Sequence, residues 1–195
     1  MTGEEHGVDA PLSAEDRHRL LDVARAAVAD ALAGRPPRRV EPAGILARRA
    51  GVFVSFHLDG DLRGCIGHLA GDQPLASVVP ECAVAAATGD PRFDAILPAE
   101  LPRCVIEISV LGPISEVRDP GEIVVGRDGL VAEQGWRRGL LLPQVAVEYG
   151  WDREAFLSRT CAKAGLPPDA WQRGATISRF EADVFDDADA GWRSV

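Results

Sequence analysis

The sequence predicts an α+β protein, in which an antiparallel sheet carries flanking helices. Stretches of strand length with alternating apolar and polar residues follow one another in several places, separated by short turns. Helical stretches lie among them without the regular strand–helix alternation that a parallel sheet requires. A length of 195 residues fits one domain, or two small lobes that share a core.

The first predicted element is a packing helix that begins after Ser13. The Ser13 side chain is a favourable N-cap, and Asp16 suits the positive end of the helix. One apolar stripe follows at helical spacing, and its members are Leu20, Leu21, Ala24, Val28, Ala31 and Leu32. Gly34 ends the helix. We expect residues 1–12 to be a loose leader outside the predicted domain.

A β-hairpin is predicted next, with one arm from Val52 to Leu58 and the other from Leu62 to Ile66. Its register decides which way the side chain of Cys65 points. A two-residue turn at Asp59-Gly60, which is a strong turn signal, would place Cys65 opposite Val54.

The alternative register has a three-residue loop that ends at Asp61. It places Ser55 opposite Cys65 and His57 opposite Arg63. We prefer this register because it keeps the aliphatic residues of both arms on one face. The other face then carries His57, Ser55, Arg63 and Cys65.

The remaining elements follow from periodicity and from turn residues. Residues 71–88 predict a helix that Pro80 kinks or divides, and residues 89–93 predict a turn. Strands are predicted over residues 105–111, 123–125, 130–133, 137–142 and 176–185, and helices over residues 143–149 and 152–164. A polar tail covers residues 187–195, so the predicted domain spans residues 13–186.

Charge and composition exclude several classes of function. The net charge of −9 opposes nonspecific binding to nucleic acid or to a membrane surface. No apolar run reaches the roughly 20 residues that a membrane helix needs, and the acidic start is unlike a signal peptide. We therefore expect a cytoplasmic protein with no membrane partner. The strong preference for arginine over lysine suggests the codon bias of a GC-rich bacterium.

One arginine-rich stretch is the exception to the acidic balance, and it comprises Arg35, Arg38, Arg39, Arg48 and Arg49. It contains no aromatic residue for base stacking, so we interpret it as a solvated loop and expect no nucleic-acid partner. Three tryptophans adjoin turns or helix ends, where we expect them to anchor the packing: Trp136, Trp151 and Trp171.

The four cysteines are far apart in the sequence and form no C-x-x-C pair. In a reducing compartment they are free thiols, and Cys82, Cys104 and Cys161 are predicted to be small buried apolar residues. Cys65 and His68 have a spacing that could supply two metal ligands, but no second pair follows. We therefore expect neither a metal nor another cofactor.

The hairpin contains the most informative segment, Leu62-Arg63-Gly64-Cys65-Ile66-Gly67. It resembles, without a mismatch, the six-residue signature of the AMMECR-domain family, also called AmmeMemoRadiSam system protein A. Further segments that resemble this family are residues 90–93 (DPRF), 106–111, 141–145, 156–157 and 163–167, with Trp171. The resemblance covers about residues 15–185.

The resemblance implies a mixed α+β fold with a larger lobe and a smaller lobe, and with the signature at the cleft between them. It also implies a pathway shared with a Memo-like protein, similar to iron-dependent dioxygenases, and with a radical S-adenosylmethionine enzyme. It assigns no reaction. The binding residues expected from it are Leu62, Arg63, Gly64, Cys65, Ile66, Gly67, Asp90 and Arg92.

Two functional hypotheses follow. In the first, which we favour, the protein is a binding or accessory component. The guanidinium of Arg63 then offers two parallel donors to a carboxylate or phosphate on a small anionic ligand or a partner's peptide. Common nucleotide-binding glycine motifs are absent from the sequence.

In the second hypothesis, the protein is a cysteine-dependent enzyme that acts on a small anionic substrate. Cys65 would be the nucleophile, with His57 or His68 as the base and Glu107 or Asp90 as the orienting group. A purely structural role is the competing interpretation. In that case the glycines allow close packing, Cys65 fills space, and Arg63 pairs with an acid such as Glu107.

Overall fold

The computed structural model describes residues 11–188, and this part of the chain has the predicted α+β architecture. Its helices are α1 (Ala14–Leu32), α2 (Leu75–Thr88), α3 (Pro143–Glu148) and α4 (Arg153–Lys163). Its strands are β1 (Val52–Leu58), β2 (Asp61–His68), β3 (Val105–Leu111), β4 (Ser115–Glu116), β5 (Asp128–Gln134), β6 (Arg137–Leu141) and β7 (Thr176–Asp186). The strand pairs β1–β2, β1–β3, β4–β7, β5–β6 and β5–β7 are antiparallel.

The chain divides into two compact units. The first unit runs to Leu111 and resumes at Asp183, and the second unit is Gly112–Ala182. Strand β7 crosses the boundary, so its last residues belong to the first unit. None of the helices in residues 11–188 is long and apolar enough to cross a membrane.

The first unit consists of the strands β2, β1 and β3, in that order, with α1 and α2 packed beside them. Strand β2 is therefore at the edge of the sheet. The strands and helices share one core, whose fully buried side chains include Leu20, Val28, Leu46, Val54, Phe56, Leu75, Val79, Ile106 and Ile108. The predicted core face of the hairpin is confirmed by the complete burial of Val52, Val54 and Phe56.

Helix α1 begins as predicted, with a reciprocal cap. The backbone N–H of Asp16 donates to the Ser13 hydroxyl at 3.1 Å, and the N–H of Ser13 donates to the Asp16 carboxylate at 3.1 Å. The helix ends before Gly34, whose φ of +66° favours glycine.

Packed structure extends one residue beyond each predicted end of the domain. Leu12 is buried and donates its N–H to Asp183 at 2.9 Å. Asp187 is also buried, where it pairs with Arg25 and accepts the N–H of Ile106 at 3.0 Å. Residues 1–10 of the predicted leader and residues 189–195 of the predicted tail lie outside the described residues.

Most of the arginine-rich stretch is exposed, as expected for a solvated loop, and two of its members also neutralise a buried carboxylate. Arg35 and Arg38 both donate to Asp30, which is buried near the end of α1. This double pairing lowers the pKa of Asp30. Arg39 pairs with Glu41, and Arg49 donates to a backbone carbonyl.

The second unit contains strands β7, β5 and β6, in that order, with β4 paired to β7. Helix α4 begins as predicted, where the Asp152 carboxylate accepts the N–H of Ala155 at 2.8 Å. A second core forms between the strands and the helices, and it includes Ile123, Leu130, Ala132, Ala146, Phe156, Leu157, Cys161 and Ile177.

Two expectations about individual elements are wrong, and one of the two alternatives for a third is excluded. Residues 123–125 form no strand, because a 3₁₀ turn capped by Asp119 precedes them and Ile123 is a core residue outside any strand. Pro80 does not divide helix α2, which is continuous from Leu75 to Thr88, so only the alternative of a kink stays a prediction. Trp136 anchors no core, since it lies in the β5–β6 turn with 88% of its surface exposed.

The other predicted core residues agree with the structure. Trp151 and Trp171 pack against the second core. The thiols of Cys82, Cys104 and Cys161 are buried, as small apolar side chains are.

Candidate functional site

The register of the β1–β2 hairpin combines the two registers considered above. The turn has two residues, and positive φ values at Asp59 (56°) and Gly60 (91°) are those of a type I′ turn. His57 therefore lies opposite Leu62. A β-bulge at Arg63 then shifts the pairing by one residue, so that Ser55 lies opposite Cys65 as we preferred.

The bulge explains why one sequence contains both a two-residue turn signal and an alternation that favours the other register. The Asp59-Gly60 turn sets a tight connection, and the extra residue in β2 restores the aliphatic face beyond it. The expectation that Arg63 lies opposite His57 is wrong for this reason. Arg63 is the residue without a partner on β1 in this ladder.

Both glycines of the signature segment allow close packing. A Cβ on Gly64 would lie 2.0 Å from the carbonyl oxygen of Ala86 in α2, so only glycine lets the strand approach the helix. A Cβ on Gly67 would lie 2.3 Å from the ring of Phe53 on β1. The glycines therefore have structural roles, as the competing interpretation proposed.

The backbone of Cys65 is held from outside the sheet by the turn after α2. The Asp90 carboxylate accepts the N–H of Cys65 at 2.9 Å, and Arg92 Nη2 donates to the Cys65 carbonyl at 3.3 Å. Because β2 is an edge strand, these two side chains satisfy groups that a neighbouring strand would otherwise pair. We call Asp90 and Arg92 the clamp.

The clamp is an ion pair in which one partner is buried and the other is half exposed. Two bonds join the side chains, from Arg92 Nε to Asp90 Oδ1 at 3.0 Å and from Nη2 to Oδ2 at 2.7 Å. The Asp90 side chain is 2% exposed and that of Arg92 is 50% exposed. The hydrogen bonds from Arg92 hold the pKa of the Asp90 carboxyl well below its usual range, so it is ionised at neutral pH.

Arg63 is paired elsewhere. Its guanidinium lies 3.0 Å from the Glu100 carboxylate, and this carboxylate also accepts the N–H of Leu97 at 2.8 Å. Both side chains of the pair are mostly covered, at 22% and 23% exposure. Arg63 is therefore not the open anion-binding fork of the binding hypothesis, and its carboxylate partner is Glu100 where we suggested Glu107.

The thiol of Cys65 lies in a row that crosses three strands. Ser55 on β1 is opposite Cys65 on one side and Glu107 of β3 on the other. The side chain of Cys65 is partly exposed and hydrogen-bonds with that of Ser55. This row includes two of the three candidate catalytic residues.

Burial is the main reason why the pKa of the Cys65 thiol is raised. The carboxylates of Asp90 and Glu107 raise it further, whereas the Ser55 hydrogen bond and the charge of Arg92 lower it. Desolvation prevails, so the thiol is protonated at neutral pH. Protonated thiols are poor nucleophiles.

Neither histidine lies opposite Cys65 in the β1–β2 ladder. His57 is two residues from Ser55 along β1, about 6.6 Å by strand geometry, and it is Ser55 that lies opposite the cysteine. His68 is three residues from Cys65 on β2, which places the two side chains on opposite faces. For the same reason Cys65 and His68 cannot ligate one metal ion, and residues 11–188 contain no cluster suited to a metal.

Sequence reasoning named Cys65, Asp90, Arg92 and Glu107 as candidates, and the structure brings them near one another, but it missed two contacts. Ser55 appeared only as a register partner, and its hydroxyl bonds with the thiol. Glu100 was not considered, because nothing in its local sequence links it to a strand 37 residues earlier.

Comparisons with known proteins identify one family model and several proteins that are similar to the chain. A family model described as AMMECR1 matches residues 21–185. A protein of Methanothermobacter thermautotrophicus is 46% identical over 185 residues, which cover 90% of this chain and 96% of that protein. A Methanocaldococcus jannaschii protein is 42% identical over 187 residues, with 91% and 93% of the two chains covered.

A solved structure agrees with the fold. The crystal structure of an uncharacterized protein from Pyrococcus horikoshii has a TM-score of 0.85 and 38% identity, and the match covers 90% of this chain and 93% of that one. These relatives are archaeal, which corrects the expectation of a bacterial protein that arginine usage suggested.

Proposed function

Because the chain belongs to the AMMECR1 family, and its site residues carry no complete catalytic set, we propose that it is a binding or accessory component. The surface that binds is the signature segment on β2 together with the clamp. One observation carries the proposal: the Cys65 thiol is kept protonated by burial, while its backbone is fixed on both sides of the residue by Asp90 and Arg92.

A rigid and partly exposed strand edge is suited to recognition. The clamp occupies the N–H and the carbonyl of Cys65, so this edge does not attract an unrelated strand at that residue. Recognition then depends on the side chains beside it. A preformed surface loses little conformational entropy on binding, which favours affinity.

Arg92 replaces Arg63 as the anion-binding group of this proposal. Its Nε and Nη2 atoms bind Asp90 and Cys65, and its guanidinium packs 5.1 Å from the Phe93 ring centroid. Nη1 makes none of the hydrogen bonds identified within residues 11–188, and half of the side chain is exposed. A carboxylate of a small ligand or of a partner protein could bind at that nitrogen.

The proposed partners are those that the family resemblance implies, a Memo-like protein and a radical S-adenosylmethionine enzyme. We propose a cytoplasmic setting, since all four cysteines are free thiols and a reducing compartment keeps them so. The chain would then deliver or position a component for these enzymes.

A binding measurement with matched variants tests the proposal. The two enzymes from the source organism are titrated separately into the purified chain by calorimetry. We expect Arg92→Gln to weaken binding by about tenfold, which corresponds to about 1.4 kcal/mol. Arg39→Gln is the control, because Arg39 is 88% exposed and pairs only with the exposed Glu41 among the described residues.

Each outcome has one meaning. Circular dichroism must first show that Arg92→Gln is folded, and Cys65→Ser serves as a second, smaller change at the same site. If both site variants bind as tightly as the original chain, the site is not the interface. If neither enzyme binds, the pathway proposal fails.

The cysteine-dependent enzyme remains the second candidate, supported by the partial exposure of Cys65 and its contact with Ser55. It requires a base that removes the thiol proton once a substrate has bound. A single fast-reacting thiol at neutral pH would favour it.

A further inference from the structure

The β5–β6 hairpin presents a tryptophan to solvent. Trp136 is 88% exposed, which is uncommon for the largest apolar side chain, and its neighbours in residues 133–138 are exposed as well. Gly135 has a φ of +62° and Trp136 a negative φ, the pattern of a two-residue type II′ turn. The indole therefore lies at the tip of a tight hairpin.

Arg137 supports the indole from one side. Its guanidinium carbon lies 5.3 Å from the ring centroid of Trp136, and its Nη1 donates to the carbonyl of Gly165 at 2.7 Å. Gly165 follows Ala164, the C-cap of helix α4, and the C-terminal end of a helix favours a cation. The arginine is thus fixed between helix and indole, which limits the entropy that Trp136 would lose on binding.

Positive charge surrounds this tip, although the whole chain has a net charge of −9. Arg138 pairs with Glu133 at 3.3 Å, and both side chains are about half exposed. Lys163 is exposed at the end of α4, and its backbone packs against Gly139 of β6. The tip therefore combines three cations and one carboxylate with an exposed aromatic ring.

We propose that residues 133–138, together with Lys163, form a docking site for an acidic segment of a partner protein. An apolar side chain of that segment packs on the open face of Trp136, and its carboxylates pair with Arg137 and Arg138. Tryptophan and arginine are the residues that contribute most to binding energy at protein interfaces. The proposal concerns other residues than the clamp and does not depend on the proposed function.

Charge decides between a protein segment and the other anionic partners. A membrane surface or a long nucleic acid meets the whole protein, whose net charge of −9 repels it. A short acidic segment needs only the local positive field, which acts over about 10 Å at moderate ionic strength. Single-strand binders also need a series of stacking rings, and the tip offers one.

A peptide titration tests this site. The probe is a synthetic twelve-residue peptide in which Asp and Glu surround one Phe, and the comparison is the same peptide with Asn and Gln. The indole N–H resonance of Trp136 is assigned from its loss in Trp136→Phe. We expect a saturable shift with the acidic peptide, weakened about tenfold by Arg137→Gln with Arg138→Gln and by a rise in salt.

Arg173→Gln is the matched control, since Arg173 is 72% exposed in the second unit and pairs with Asp169. This variant should bind the acidic peptide like the original chain. No shift with the acidic peptide, or an equal shift with the neutral one, would overturn the proposal. Tighter binding to phosphatidylserine vesicles or to oligothymidylate would overturn it as well.

Discussion

The two β-hairpins β1–β2 and β5–β6 have turns of the same length but differ in how far their side chains are enclosed. Both turns have two residues with positive φ at glycine, but β1–β2 lies in the first unit and β5–β6 in the second. In the first hairpin, packing and ion pairs enclose Gly64 and Arg63. In the second, Trp136 and Arg137 are exposed at the tip.

This difference shows that a specific sequence segment is not the same as an open binding group. The signature residue with the greatest promise as an anion binder, Arg63, is paired with Glu100 and mostly covered, at 22% exposure. A tryptophan in an ordinary turn sequence, by contrast, is the most exposed of the large apolar residues in residues 11–188. Substitutions in the first hairpin should therefore cost more stability than those at the tip of the second.

The largest expected effect is that of Gly64→Ala. Its Cβ would meet the Ala86 carbonyl oxygen at 2.0 Å, so the strand and helix must separate. We expect a loss of about 3 kcal/mol in the free energy of unfolding. Gly135→Ala meets no atom within 4 Å and carries only the cost of its φ of +62°, about 1 kcal/mol. Urea denaturation of both variants measures the contrast, and equal losses would contradict it.

A smaller loss is expected for Asp90→Asn. It removes a buried charge that binds Arg92 and the Cys65 N–H, so we expect about 2–3 kcal/mol of destabilisation. Glu133→Gln in the second hairpin breaks an exposed pair with Arg138 and should cost less than about 1 kcal/mol. Thermal unfolding of the two variants tests this difference. An Asp90→Asn variant with unchanged stability would mean that the clamp does not hold β2.

The stabilisation from Asp90 should depend on pH in the acid range. Its pKa is depressed in the folded state, so the unfolded chain binds a proton first, near pH 3.9. The contribution is fully present well above that pH and is lost as pH falls towards the lower folded pKa. The difference in unfolding free energy between the original chain and Asp90→Asn should therefore narrow from pH 5 to pH 3. A constant difference would argue against an ionised Asp90.

The smallest effect is expected for Trp136→Ala. With 88% of the side chain exposed, its removal should change the unfolding free energy by less than about 0.5 kcal/mol. Phe53→Ala in the first hairpin removes the ring that covers Gly67 and should cost more. Chemical denaturation compares the unfolding free energies of the two variants. A destabilised Trp136→Ala would show that the tip is structural.

Sequence reasoning predicted local elements well, because capping and periodicity are local signals. Ser13 and Asp152 begin helices α1 and α4 as expected. The bulge at Arg63 was not predicted. The two-residue turn and the register that keeps the aliphatic face together were treated as alternatives, whereas the bulge allows the hairpin to have both.

Tertiary contacts decided the rest of the candidate site. The DPRF turn was linked to the signature segment through the family resemblance and through Asp90 as a possible orienting group. Its bonds to Cys65 join residues 25 and 27 positions apart. Glu100 as the partner of Arg63 had no local signal at all. The pKa of Cys65 depends mainly on burial, which sequence spacing does not reveal.

The state of the Cys65 thiol is the central claim, and its alkylation rate as a function of pH measures it directly. Iodoacetamide labelling of the native chain is followed by peptide mass spectrometry, with Cys65→Ser to identify the site. The account predicts slow labelling at pH 7 and a rate that rises only above the pH where an ordinary thiol, with a pKa of about 8.5, titrates. Fast labelling of Cys65 with a midpoint below pH 8 would contradict it and favour a nucleophile.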